Sequence, residues 1–258
     1  MLDKTVVAII QARMGSTRLP GKSMKKILGK PMLWHIVQRV KKTKHIDKVV
    51  VATSTSSKDD KIVKFCKQNK IDYFRGSENN VLSRFYETAT KFNAGVIVRI
   101  TADCPLIDPA IIDQTIKKYL TGKYDYVSVA TGAGVANKNV KRYPDGLDCE
   151  VFSYKILESA YFNAKSNDEK EHVTLHIWKR PKKFNLLSIK PSEDYSKLRF
   201  TVDHPSDLKF IKEIYNQLYP KKKNFNLFDI IALLKKYPKL LLINQANIGK
   251  EGYEKFWK

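Results

Sequence analysis

The feature that most constrains this chain is the regular exchange, over its first half, of short apolar runs with helix-like segments. Thr5 to Gln11, Lys48 to Thr53, Ile71 to Phe74, Gly95 to Ile100 and Tyr124 to Ala130 read as strands. Met32 to Lys42, a segment running to about Asn69, Val81 to Phe92 and Pro109 to Tyr119 read as helices between them. Pro31 stands where the first of these helices can begin. Asp59 and Asp60 fall in the first turn of the second, where they complement its dipole. Apolar strands separated by helices of about a dozen residues predict βαβ units and a mostly parallel sheet covered on both faces. The expected architecture is therefore a three-layer α/β/α, Rossmann-like fold. In such sheets ligands bind beyond the carboxyl ends of the strands, here the segments after Gln11, Thr53, Phe74 and Ile100.

The pattern breaks into a Gly/Asn/Lys-rich loop from about Thr131 to Leu147. Asp148 to Ser153 then reads as a strand, and Tyr154 to Asn163 and Glu169 to Trp178 as helices. Phe184 to Ile189 and Leu198 to Val202 read as strands, and the tail from Pro205 as largely helical. There is no repeat and no linker, so 1–258 is expected to form a single domain. An apolar content of 43% suffices for a substantial core.

A net charge of +22 raises the question of nucleic acid. The lysines are dispersed, however, in short clusters such as Lys117-Lys118 and Lys221 to Lys223, which suit solvated helix faces and turns. With no recognisable binding motif beside them, no nucleic-acid partner is expected. No apolar run approaches the roughly 20 residues of a membrane span, so membrane insertion is not expected either. Thr5 to Ile10 lacks a cleavage site and reads as a buried strand rather than a secretion signal. Cys66, Cys104 and Cys149 are odd in number and far apart, which favours a reducing, cytoplasmic setting.

The segment after the first strand is the most informative. Gln11-Ala12-Arg13-Met14-Gly15-Ser16-Thr17-Arg18-Leu19-Pro20-Gly21-Lys22 combines glycines, hydroxyls and three cations. Glycines let backbone amides approach phosphate oxygens and form an anion-binding nest. Arg13, Arg18 and Lys22 would neutralise three or four of the negative charges of a bound polyphosphate. The spacing is not that of a Walker A loop, and composition by itself also allows a merely basic surface loop.

Ile9 to Lys22, with Leu28-Gly-Lys-Pro-Met32 after it, resembles the spore-coat polysaccharide (SpsF-type) family of cytidylyltransferases, which is related to CMP-Kdo and CMP-sialic acid synthetases. The likeness continues through Phe74-Arg-Gly-Ser77, Arg99-Ile-Thr-Ala-Asp-Cys-Pro105, Tyr143-Pro-Asp-Gly-Leu-Asp148, Glu171-His-Val173 and Phe200-Thr-Val-Asp203. It covers about residues 4 to 215. The resemblance implies a nucleotidyltransferase-like (GT-A-like) sheet, with nucleotide binding in about 1–130 and acceptor binding in about 131–258. It implies transfer of CMP from CTP to a sugar or sugar acid with release of pyrophosphate, and dimers are frequent among such enzymes. It places Gln11, Ala12, Arg13, Gly15, Ser16, Thr17, Arg18, Lys22 and Thr101 around the nucleotide, and Arg75, Gly76, Ser77, Ser83 and Arg84 near its base. Asp103 and Asp203 match the aspartates that hold Mg²⁺ in the family. Arg13, Lys22 and Asp103 are the expected catalytic groups. One departure stands out: Arg99-Ile-Thr101 replaces the glutamine that usually precedes the metal aspartate in the CMP-Kdo branch.

Both aspartates follow expected strands, Val96 to Ile100 and Arg199 to Val202, where a hard oxygen-seeking cation needs two carboxylates beside phosphate oxygens. Capping a following helix is the alternative use for either. Arg142, Asp145, Asp148, Glu150, Glu171 and His172 are acceptor-binding candidates, or else satisfy one another and nearby lysines. A zinc site at His172 and His176 is not expected, because the intervening glutamate of such motifs is absent. A glycosyltransferase is the competing enzyme class, but Asp103-Cys-Pro lacks the second aspartate of Asp-x-Asp.

Overall fold

A computed structural model describes residues 5–132 and 140–249. Part of the loop expected from Thr131 to Leu147 lies outside these residues. The elements run β1 (Val6–Gln11), β2 (Lys26–Ile27), β3 (Lys30–Pro31), α1 (Met32–Val40), β4 (Lys48–Ser54), α2 (Asp60–Gln68), β5 (Asp72–Gly76), α3 (Val81–Lys91), β6 (Val96–Thr101), α4 (Pro109–Tyr119) and β7 (Tyr126–Val129). After the loop come β8 (Glu150–Ser153), α5 (Tyr154–Asn163), α6 (Asn167–Glu171), α7 (Leu175–Trp178), β9 (Leu186–Ile189), α8 (Pro205–Leu218) and α9 (Leu227–Lys236).

Seven strands form one sheet in the order β5-β4-β1-β6-β8-β7-β9. All pairings are parallel except those of β8, which runs against both β6 and β7. The pleat sorts the apolar residues of β1. Val6, Ala8 and Ile10 join one core with α1 and α8, while Val7 and Ile9 join the other with α3 and α5. In α1, Leu33, Ile36, Val37 and Val40 recur at helical spacing and are fully buried, which pins the helix to the sheet. The chain reversals leave the loops after β1, β4, β5 and β6 at one end, and the candidate site forms there. Among the described residues, no helix is long and apolar enough to cross a membrane.

Two expected elements differ. Leu198 to Val202 makes no strand and contributes a single bridge, Asp145 to Arg199. Its amides are spent on loop carbonyls instead: Phe200 and Thr201 donate to Asp145 O, and Val202 to Asp103 O. Glu169 to Trp178 is not one helix. Ser166 and Glu169 form a capping box that starts α6 early. The chain then breaks at Val173, whose φ of 51° is unusual for a β-branched residue. Thr174, buried there, donates its hydroxyl to Glu150 and draws the chain toward the sheet.

Candidate active site

The loop after β1 closes on itself through one peptide. Met14 O accepts the amides of Ser16 (3.0 Å) and Gly21 (3.1 Å), and Gly21 turns at a φ of 67°, where a glycine is favoured. The loop forms one wall of a cavity of about 240 Å³ that Gln11, Arg13, Gly15, Ser16, Thr17, Arg18 and Lys22 line on one side. Thr101, Ala102, Asp103 and Asp203 complete it. The end of β1 and the loop after it therefore meet the end of β6 and the segment before α8, three places far apart in sequence.

At its centre, Lys22 Nζ donates to Asp103 Oδ2 and to Asp203 Oδ1, each at 2.8 Å. Arg18 reaches the same Asp203 oxygen at 2.9 Å. Thr101 Oγ1 donates to the other oxygen of Asp103 at 2.6 Å, and Arg199 to the other oxygen of Asp203 at 2.8 Å. Burial opposes ionisation of Asp103, but the charge and hydrogen bond of Lys22, with the help of Thr101, outweigh it and hold the carboxyl at about 2. Lys22 is the mirror case: burial disfavours its charge, and the two carboxylates still raise it above its ordinary 10.5. The two aspartates thus converge on one cation, and Lys22 stands as that cation here. Two hard carboxylates within reach of one positive centre fit a magnesium ion that takes its other ligands from water and phosphate. Among the described residues, no group of three or more His, Cys, Asp or Glu side chains offers a metal site.

The other expected nucleotide residues lie outside this cavity. Ala12 is buried behind the loop, its amide donating to Ala52 O. Arg75 is held by Asp60 at 2.7 Å and by the carbonyls of Ser54 and Ser56. Arg84 is fully buried and donates to Ser77 O at 2.8 Å, while its Nε and Nη2 meet no hydrogen-bond partner among the described residues. Burial, and then the charge of Arg13, pull it down to about 10. A Cβ on Gly76 would press on the Arg84 stem at 3.0 Å. Ser77 Oγ accepts from Asn80 N, Ser83 N donates to the Asn80 side chain, and Ser83 Oγ donates to Glu87. These five residues shape the β5–α3 turn beside the cavity.

The acceptor candidates divide. Asp145 pairs with Arg199 at 2.5 Å, and the same buried guanidinium reaches Asp203 and Asp207. Gly146, at a φ of 103°, lies so close to Thr201 that a Cβ would stand 2.3 Å from its amide nitrogen. Glu150 is buried and bound by Arg99, Tyr126 and Thr174. Asp148 accepts from Thr131 Oγ1 and Gly146 N, yet burial, reinforced by Asp103 and Glu150, raises its carboxyl above the ordinary value. Glu171, more than half exposed, faces Arg13 at 3.8 Å. His172 is partly exposed beside it in the break between α6 and α7. Arg142 is partly exposed, its amide donating to Asp194. Sequence reasoning passed over Ser23 and Ala102 in the cavity wall and Arg199 behind it. Arg199 stands four residues before Asp203, but in an extended segment that spacing carries no signal.

A mostly parallel sheet with a basic loop and two carboxylates gathered beyond its carboxyl ends has the form of a ligand-binding site of the α/β class. The cytidylyltransferase family profile matches residues 7–230, and the chain belongs to that family. An uncharacterised protein of Methanocaldococcus jannaschii is 36% identical over 250 residues, covering 96% of this chain and 97% of its own. The spore coat polysaccharide biosynthesis protein SpsF of Bacillus subtilis is 31% identical over 240 residues, covering 90% and 95%. Among solved structures, a cytidylyltransferase from Leptospira borgpetersenii superposes with a TM-score of 0.85 at 31% identity, over 93% of this chain and 97% of that one. A CMP:2-keto-3-deoxy-manno-octonic acid synthetase complexed with CTP shares the fold, with a TM-score of 0.61 at 18% identity over 83% and 99%.

Proposed function

We propose that this cytidylyltransferase moves CMP from CTP onto an oxygen of a sugar or sugar acid destined for a surface polysaccharide or glycoconjugate. The carrying observation is the convergence of Lys22, Asp103 and Asp203 beside the loop that presents Arg13 and Arg18. Family membership and the CTP-bound structural neighbour support CTP as the nucleotide. The name of the Bacillus relative supports a polysaccharide destination.

The acceptor oxygen forms a bond to the α-phosphorus, the bond from that phosphorus to the bridging oxygen breaks, and pyrophosphate leaves. The acceptor's proton passes to solvent. Arg13, Arg18 and Lys22 take up charge on the phosphates, which is worth most where the site is shielded from water. For that, Lys22 exchanges its two carboxylates for phosphate oxygens. Asp103 and Asp203, once released, would hold a magnesium ion, which would supply neutralisation of phosphate charge and so favour displacement at phosphorus. Thr101 and Arg199 keep the two carboxylates oriented throughout. Asp148, Glu171, His172 and Arg142 remain for the acceptor.

The test is pyrophosphate release with Mg²⁺, each of the four nucleoside triphosphates, and a panel of sugar acids and sugar phosphates. Release with CTP and one acceptor class is the expected result. Failure of all four triphosphates to bind in a direct titration would sink the reading.

A further inference from the structure

Met14 is the hub of the loop after β1. Its carbonyl takes the two amides that close the loop, and its own amide donates to Asp59 Oδ1 at 2.7 Å. Asp59 is 2% exposed and ends a short turn, Ser57–Asp59, that follows β4. Its other oxygen accepts three hydrogen bonds, from Thr53 Oγ1 (3.1 Å), Ser54 N (3.1 Å) and Ser54 Oγ (2.5 Å). One buried carboxylate therefore ties the end of β4 to the start of the loop after β1. Asp59 also precedes α2, where an aspartate commonly caps the helix. Its side chain makes no such cap, and its acceptors are committed to the loop and the strand end instead.

The loop needs such a tie. Of residues 13 to 18, none is buried, and Met14 alone packs its side chain against the core, so apolar packing does not set the positions of the others. Their backbone is held by the Met14 hydrogen bonds and by Ser23 Oγ, which donates to Arg13 O at 3.3 Å. A loop free to wander must be ordered by its ligand, and that ordering is subtracted from affinity.

We propose that Asp59 is a positioning residue for the nucleotide: by holding the Met14 amide, it sets the backbone from which Gly15, Ser16 and Thr17 face the phosphates. This role rests on the reading of the loop as a triphosphate cradle. Asp59 touches no substrate and acts entirely through Met14.

Asp59→Asn separates the two sides of the contact. An amide has one accepting and one donating end. The three donors around Oδ2 recruit the asparagine carbonyl, which leaves its NH₂ facing the Met14 N–H. The variant thus keeps the β4 side and cuts the loop bond. Thr53→Val does the reverse, removing one donor from the β4 side while sparing Met14. Calorimetric titration with MgCTP and with inorganic triphosphate, alongside thermal unfolding, reads both. Asp59→Asn is expected to bind either ligand about tenfold more weakly, or about 1.4 kcal/mol, while Thr53→Val binds as the parent does. Equal affinity for Asp59→Asn overturns the role. So does a loss in both variants that follows their unfolding temperatures, or a loss with CTP that spares triphosphate. A parent chain that binds no triphosphate at all would instead bring down the cradle, and this role with it.

Discussion

Around the loop after β1, Arg13 and Arg18 are 42% and 47% exposed, and Lys22 is held by carboxylates that open on the same cavity. Across the sheet, at the start of β8 and the segment before α8, Asp145, Glu150 and Arg199 are equally charged but buried and committed to one another's neighbours. The first region keeps its charges available to a polyanion. In the second, Asp145 and Arg199 join extended segments that share a single bridge, while Glu150 and Arg99 pair across the β6–β8 ladder. The difference teaches that a charged residue in a family motif has two uses, and burial with a full set of partners distinguishes them. Arg199 belongs to both regions, since it braces Asp203 from behind while holding Asp145.

The comparison breaks first at Asp103. Asp103→Ala is expected to lower turnover by about 10⁴-fold, near 5 kcal/mol, with cooperative unfolding kept and a loss of stability at neutral pH no larger than that of the Lys22 pair, about 2 kcal/mol. A modest loss in a steady-state pyrophosphate assay would put the chemistry elsewhere. On the other side, Glu150→Ala removes the buried carboxylate to which Arg99 donates and is expected to cost about 3–5 kcal/mol of stability, read by urea unfolding. MgCTP binding well below the transition should survive it. Loss of binding without loss of stability would turn Glu150 from a brace into a ligand.

The Lys22–Asp103 pair sharpens the contrast through pH. The folded Asp103 titrates at about 2 against an ordinary 3.8, so its contribution is complete above the ordinary value. It disappears as pH falls from about 4 toward 2, and amounts to about 2 kcal/mol at most. Lys22, raised above 10.5, loses its share only as pH climbs past that value. The stability difference between the parent and Lys22→Met should therefore shrink below about pH 4. A difference that stays flat to pH 2 would mean the pair does not form. Lys22→Met should also slow turnover at least tenfold, about 1.4 kcal/mol. The smallest effect is expected at Glu171→Gln. Its exposed pair with Arg13 spans 3.8 Å and is worth less than about 1 kcal/mol of stability, so a larger shift in unfolding would reveal a hidden partner.

The sheet was legible before any coordinates. Tyr154–Asn163 and Pro109–Tyr119 match the expected helices to the residue, and each of the five apolar runs of the first half became a strand. Apolar periodicity is a local property, and burial on both faces makes it emphatic. The composition of the loop after β1 was legible for a related reason: its glycines, hydroxyls and cations lie within a dozen consecutive residues.

Tertiary structure alone decided which charges meet. Asp59 read as a helix-start residue because the dipole effect is local, whereas its bond to Met14 crosses from one strand end to the next. Leu198 to Val202 had the composition of a strand, but strand pairing needs a partner edge, and the 145–146 turn offered only one bridge. Val173 ended a helix that periodicity had carried through it, because Thr174 found Glu150 on a distant strand. Sequence by itself determined the layers, the strand ends and the loop chemistry, all set within a few residues of chain. The pairing of Lys22 with Asp103 and Asp203 spans 81 and 181 residues, and only the closing of the sheet brings those charges within reach of one another.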